Sequence, residues 1–172
     1  MNIWIFNHYA TAPYHVGGTR HYDLALELVK KGHNVTIIAS SFNHFLKQET
    51  IEYPGKSYFL KEEINGVQYL WIKTIKYEGM FKRLLNILDY TRKAHKIAKK
   101  MIKDSKPDVI IGSSVHPFAA YIGYKISKKS NSIFYFEERD LWPQTFVDFG
   151  KISKNNPITK VLYWFENLLY KV

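Results

Sequence analysis

The chain has 172 residues, a size that suits one domain, with 46% hydrophobic and 16% aromatic content to fill a core. It contains no cysteine, which excludes disulfides and thiolate metal sites and fits a reducing compartment. Net charge is +10, and +8 of it falls between Lys73 and Lys106; this points to a phosphate-rich partner (anionic lipid, a lipid-linked phosphate or nucleic acid) unless it is only a solvated helix face.

The N-terminus, Met1-Asn2-Ile3, begins as a strand without a basic leader region, so no secretory signal is expected. No apolar run approaches the roughly 18–20 residues needed to span a bilayer. The first predicted strand is Ile3 to Asn7. His8 to Val16 is long for a strand-to-helix loop, where about 2–6 residues is usual. Gly17-Gly18-Thr19 then opens a helix with an apolar stripe of Leu24, Ala25, Leu28 and Val29. Lys30 and Lys31 suit the negative end of its dipole, and Gly32 ends it. A second strand is expected over Val35 to Ala39, and Ser40 to Lys56 reads as loop.

Asn65-Gly66 between alternating segments predicts a hairpin over Tyr58 to Lys73. Met80 to Lys103 reads as a long helix, with Leu84, Leu88, Thr91, Ala94, Ala98 and Met101 on its apolar face. Lys82, Arg83, Lys93, Lys96, Lys100 and Lys103 form its basic face. Pro107 stops it before a strand at Asp108 to Gly112. Pro117 suits the first turn of the next helix, which runs to about Lys128. Ile133 to Phe136 reads as a buried parallel strand, and Trp142 to Asn155 as irregular chain. Asn156 caps a last helix that begins at Pro157 and buries Val161, Leu162, Phe165, Leu168 and Leu169. The alternation predicts an α/β fold, Rossmann-like, with a mainly parallel sheet and helices on both faces.

In such sheets ligands bind beyond the carboxyl ends of the strands. Three strands deliver polar groups there: His8 and Gly17-Gly18 after the first, His116 after Asp108–Gly112, and Arg139-Asp140 after Ile133–Phe136. If these strands are neighbours, one rim collects all of them. The dinucleotide fingerprint Gly-x-Gly-x-x-Gly is absent, and no acid follows Ala39-Ser40-Ser41 to hold a ribose, so a nicotinamide cofactor is not expected. Gly17-Gly18 at a helix start can still admit a phosphate, or can be only a tight turn. His116 can hydrogen-bond a sugar hydroxyl or move a proton, or can be a cap or packing histidine. Arg139 can grip a phosphate and Asp140 a hydroxyl, or the two can pair to shape their loop. Scattered histidines argue against a metal site, and nucleic-acid signatures are missing.

Taken together, several motifs carry a resemblance over almost the whole chain. They are Gly17-Gly18-Thr19-Arg20; Leu26-x-x-x-Lys30-x-Gly32-His33-x-Val35; Pro107-Asp108-Val109-Ile110-Ile111-Gly112-Ser113-Ser114 with His116-Pro117; and Glu138-Arg139-Asp140-Leu141-Trp142-Pro143. In this order the chain resembles the N-terminal half of a family 4 glycosyltransferase, of the bacterial enzymes that build capsule, O-antigen (lipopolysaccharide) and exopolysaccharide. The resemblance implies residues 1–172 as the Rossmann-like acceptor-binding domain of a two-domain GT-B architecture. It implies a retaining reaction from a nucleotide-sugar donor to a lipid-linked saccharide acceptor, without metal or other cofactor. His116 would sit at the reacting sugar as catalytic residue, and Gly17, Gly18, Arg139 and Asp140 would bind substrate. The nucleotide-sugar domain would lie beyond Val172, leaving this chain alone inactive.

The basic helix would then meet anionic lipid through Lys82, Arg83, Lys93, Lys96 and Lys100, as a peripheral protein on the cytoplasmic face of the cell membrane. The rival expectation is a non-catalytic membrane-docking module that recruits a separate catalytic chain.

Overall fold

The computed structural model describes residues 1–114, 116–141 and 143–171. Trp142 of the Arg139–Pro143 run, and Val172, fall outside them. Eight strands and five helices follow in order: β1 Asn2–Phe6, α1 Arg20–Lys30, β2 Asn34–Ser40, β3 Phe42–Asn43, β4 Gln48–Glu49, β5 Phe59–Ile64, β6 Val67–Ile72, α2 Met80–Met101, β7 Val109–Ser113, α3 Pro117–Ser130, β8 Ile133–Glu137, α4 Gln144–Asp148 and α5 Pro157–Tyr170. Six strands form one sheet in the order β5-β6-β2-β1-β7-β8. Its neighbours are parallel except for the β5–β6 hairpin. The hairpin turns at Asn65 (φ 51) and Gly66 (φ 82), the left-handed pair that an Asn-Gly turn predicts.

Alternation along the strands builds two cores. Ile3, Ile5, Val35, Ile37, Tyr69 and Trp71 face α1, which contributes Tyr22 and Ala25. Trp4, Phe6, Ile38, Leu70, Ile72 and Ile110 face α2 and α3, which contribute Tyr90, Ala94, Ile97, Ala98, Ala119, Ile122 and Ile126. Apolar residues on both sides of each central strand are what a sheet covered on both faces requires. Gly112 lets α3 close on β7, because a Cβ there would lie 2.7 Å from the Ala120 Cα. α5 packs on α3.

Several details differ from the sequence expectation. Leu84 and Leu88 are exposed, and α2 instead buries Asn86, Ile87, Asp89 and Tyr90. The helix is rotated because Asn86 and Asp89 find inward partners: Asn86 donates to Thr74 and to the Ile75 carbonyl, and Asp89 accepts from the Ile75 amide and Lys93. An apolar-only stripe cannot register such polar anchors. Leu24 and Val161 are likewise exposed, and His21 takes the buried place at the start of α1. The Ser40–Lys56 stretch contains the small β3–β4 hairpin, and α4 interrupts the stretch read as irregular. β8 is an edge strand, not a buried one: Ile133 and Tyr135 are exposed.

Candidate functional site

Strand order reverses at β1, with β2 on one side and β7 on the other. A crevice beyond the carboxyl ends forms at such a switch point. Here it is a cavity of about 240 Å³ lined by Asn7, Tyr9, Ala10, Gly18, Arg20, His21, His44, Phe45, Arg83 and Arg139.

Local interactions build its walls. The loop after β1 is pinned where Thr11 Oγ1 donates to the Gly18 carbonyl, Tyr69 OH donates to the Thr11 carbonyl, and Asn43 donates to the Val16 carbonyl. On the opposite wall the Ser114 amide donates to the Glu137 carbonyl, and Ser114 Oγ accepts from the Arg139 amide. At the floor the Asn7 side-chain Nδ2 donates to His21 Nδ1 at 2.9 Å, and His21 Nε2 donates to Glu137 Oε2 at 2.7 Å. Arg20 reaches Glu137 Oε1 at 2.6 Å. Burial pushes the Glu137 carboxyl up, but the hydrogen bond from His21 and the Arg20 guanidinium prevail and hold it at about 2. Glu137 is thus ionised and already paired. Arg83 leans from α2 over the Tyr9 ring, 5.7 Å from its centroid.

Three guanidiniums therefore line one small space, and the His44 imidazole beside them adds no charge at neutral pH. Burial, then the charges of Lys47 and Arg83, pull His44 down to about 4. The cavity suits an anion with several oxygens, since each guanidinium offers a planar fork of donors. Among the described residues, no three His, Asp or Glu side chains gather as a metal site.

Of the residues singled out from sequence, Gly18 and Arg139 line this cavity together. Gly17 does not line it; it shapes the turn, with a φ of 143° and no room for a Cβ beside Thr11. Asp140 is exposed on the same loop as Arg139, outside the lining. His116 is 1% exposed and stands behind the cavity wall. Its Nδ1 accepts the Ala119 amide as the cap of α3, so Nε2 carries the proton and donates to His8 Nδ1 at 2.7 Å. His8 is itself stacked between Tyr9 and Tyr90, with its Nε2 buried and unpaired. Burial first, then the charge of Arg83, lowers His116 to about 3, so it is neutral. Both its ring nitrogens are occupied within the chain.

Arg20, His21 and Glu137 are not among the site residues expected from sequence, and Arg83, expected to meet anionic lipid, lines the cavity instead. Glu137 could have been found, since it ends an apolar strand that delivers polar groups; Arg83 was read as part of a surface helix. Along that helix the basic residues have separate fates. Lys93 bonds Asp89 and the Lys73 carbonyl, whereas Lys82, Lys96 and Lys100 are exposed. Lys96, Lys99, Lys100, Lys103 and Lys129 surround one concavity at the far end of α2 from the cleft.

No protein-family model matches the chain, and no curated protein does. Solved structures do. Sucrose-phosphate synthase from Thermosynechococcus elongatus superposes with a TM-score of 0.65 at 12% identity, over 98% of this chain and 39% of that one. The glycotransferase of kitacinnamycin superposes with a TM-score of 0.52 at 15% identity, over 96% of this chain and 40% of that one. The chain therefore has a fold found in glycosyltransferases and spans about two fifths of the length of these structures.

Proposed function

We propose that this chain is the acceptor-side domain of a retaining, nucleotide-sugar-dependent glycosyltransferase that extends a lipid-linked saccharide during cell-surface polysaccharide synthesis. The observation that carries the reading is the cleft at the β1/β7 switch point, lined by Arg20, Arg83, Arg139 and Gly18, in a fold that glycosyltransferases use. Sugar transfer from a nucleotide-sugar releases a diphosphate, and fixed cations beside the developing charge lower the barrier. The arginines and the bare backbone at Gly18 hold phosphate oxygens, and Asp140 takes an acceptor hydroxyl at the mouth. His116 is a positioning residue: through His8 it fixes Tyr9, on which Arg83 rests. The reading calls for no metal and no cofactor.

The donor half belongs to a second domain, so binding of the nucleotide-sugar by this chain alone is weak and transfer absent. The enzyme works on the cytoplasmic face of the cell membrane, which it meets with α2. No helix among the described residues is long and apolar enough to cross a bilayer. The test is a transfer assay with nucleotide-sugars and a short-chain lipid-linked acceptor. Residues 1–172 should give no product, and a donor-binding domain added in trans should restore it. Arg139→Ala in that pair should lower turnover by about 10²-fold with little change in melting temperature. Robust turnover by residues 1–172 alone would overturn the division of labour, and an Arg139→Ala pair with full activity would overturn the cleft.

A further inference from the structure

A second cavity, of about 420 Å³, lies on the other side of His116. Leu84 and Ile87 of α2, Phe118 of α3, and Pro157, Ile158, Val161 and Leu162 of α5 line it with His116. Leu84 is 47%, Ile158 69% and Val161 61% exposed, so apolar surface stands open to water between two helices. The wall between this groove and the arginine cleft is one aromatic layer thick: the rings of Tyr9, which lines the cleft, and His116, which lines the groove, are 6.0 Å apart. Arg83 and Leu84 are consecutive, so the cleft's cation and the groove's mouth adjoin on one helical turn.

Neither bordering segment, residues 80–88 or 157–162, contains an acid, and both carry cations: Lys82, Arg83 and Lys160. An apolar channel with a cationic mouth complements an amphiphile with an anionic head. We propose that the groove receives the hydrocarbon chain of a single-chain lipid phosphate or diphosphate, whose head lies on Arg83 in the cleft. The inference rests on the reading of the cleft as a site for phosphate-bearing substrates and assigns the groove as a separate chain-binding site. A single chain fits because the groove holds about 420 Å³ between α2 and α5, with His116 and Phe118 at the start of α3 completing its lining. The neutral, capped state of His116 suits its position, because its ring edge forms part of an apolar wall and presents no charge to the chain.

The experiment is calorimetric titration of residues 1–172 with farnesyl diphosphate, inorganic pyrophosphate and farnesol. Farnesyl diphosphate should bind at least about tenfold tighter than pyrophosphate, since the groove removes the apolar chain from water. The doubly substituted Leu84→Asp, Ile158→Asp chain should lose that gain and retain its affinity for pyrophosphate. Both positions are exposed, and circular dichroism should show an unchanged fold. Arg83→Gln should weaken pyrophosphate and leave farnesol unaffected. Equal affinities for farnesyl diphosphate and pyrophosphate, or a gain that survives the double substitution, would overturn the groove while leaving the anion cleft standing. Farnesol binding lost in the double variant, with no pyrophosphate binding in any chain, would sink the cleft and keep the groove as a chain site.

Discussion

Gly17 and Gly18 are adjacent but are glycines for different reasons. At Gly17 the backbone is left-handed and a Cβ would meet Thr11 Cγ2 at 2.6 Å; at Gly18 a Cβ would meet nothing. Gly17→Ala should therefore cost about 1–3 kcal/mol of stability through strain. Gly18→Ala should stay within about 0.5 kcal/mol of the parent, yet weaken anion binding by crowding the cleft. Thermal melts set beside pyrophosphate titrations separate the two, and equal melting losses would return Gly18 to a folding role. The motif was legible in the sequence as a pair; its division depends on Thr11, which only the folded loop brings near. His116 was equally visible, but a strand-end histidine looks the same whether it faces a ligand or caps the next helix. Its depressed folded value has a consequence with a definite sign. The unfolded chain takes up the proton first, so stability is full above about pH 6.5 and is lost as pH falls toward 3. At pH 5 the loss is about 2 kcal/mol from this residue. Glu137, also depressed, adds its own loss lower, between about 4.5 and 2. Urea midpoints at pH 7.5 and pH 5 should fall accordingly, and His116→Gln should flatten the dependence while lowering the midpoint at pH 7.5. A flat profile in the parent would contradict the buried neutral pair.

At the scale of elements, the six strands of the main sheet and the four longer helices were legible to within a few residues, because hydrophobic period, proline, glycine and Asn-Gly signals agree there, whereas the short β3, β4 and α4 carry no such signals. The faces of α1, α2 and α5 were less so. α2 turns Asn86 and Asp89 inward to bond the Thr74–Ile75 segment, which leaves Leu84 and Leu88 outside. Helix-to-sheet distance is likewise set by small residues. Gly112→Ala would push a Cβ to 2.7 Å from the Ala120 Cα and 3.0 Å from the Phe134 ring, and Ala120 is backbone that cannot turn aside. The expected cost is about 3 kcal/mol, the upper end for overpacking. Chemical denaturation of this variant checks it; a change under 1 kcal/mol would mean that α3 slides freely on β7.

The whole molecule is electrically lopsided. One end of α2 carries Met80, Phe81, Leu85 and Leu88 in the open, and the other carries Lys96, Lys99, Lys100 and Lys103. A helix of 22 residues spans about 33 Å. Anionic vesicles should bind the chain and release it as salt rises. Lys96→Glu with Lys100→Glu should weaken binding by well over tenfold, at about 1 kcal/mol per cation removed. Lys93→Ala should act on stability instead, since its charge is spent on Asp89. Co-sedimentation that ignores vesicle charge would refute the basic end as a membrane contact. The sheet is lopsided too. Its β5 margin alternates Lys61 and Glu63 outward, and charges of that kind discourage pairing at an edge. Its β8 margin shows Ile133 and Tyr135, and bears no lysine. Growth of this sheet is therefore directional: a strand joining from elsewhere in a longer polypeptide, or from a misfolded neighbour, is welcomed on the side of the candidate cleft that ends in Arg139. The margin best able to accept a further strand is also the one through which concentrated samples would aggregate.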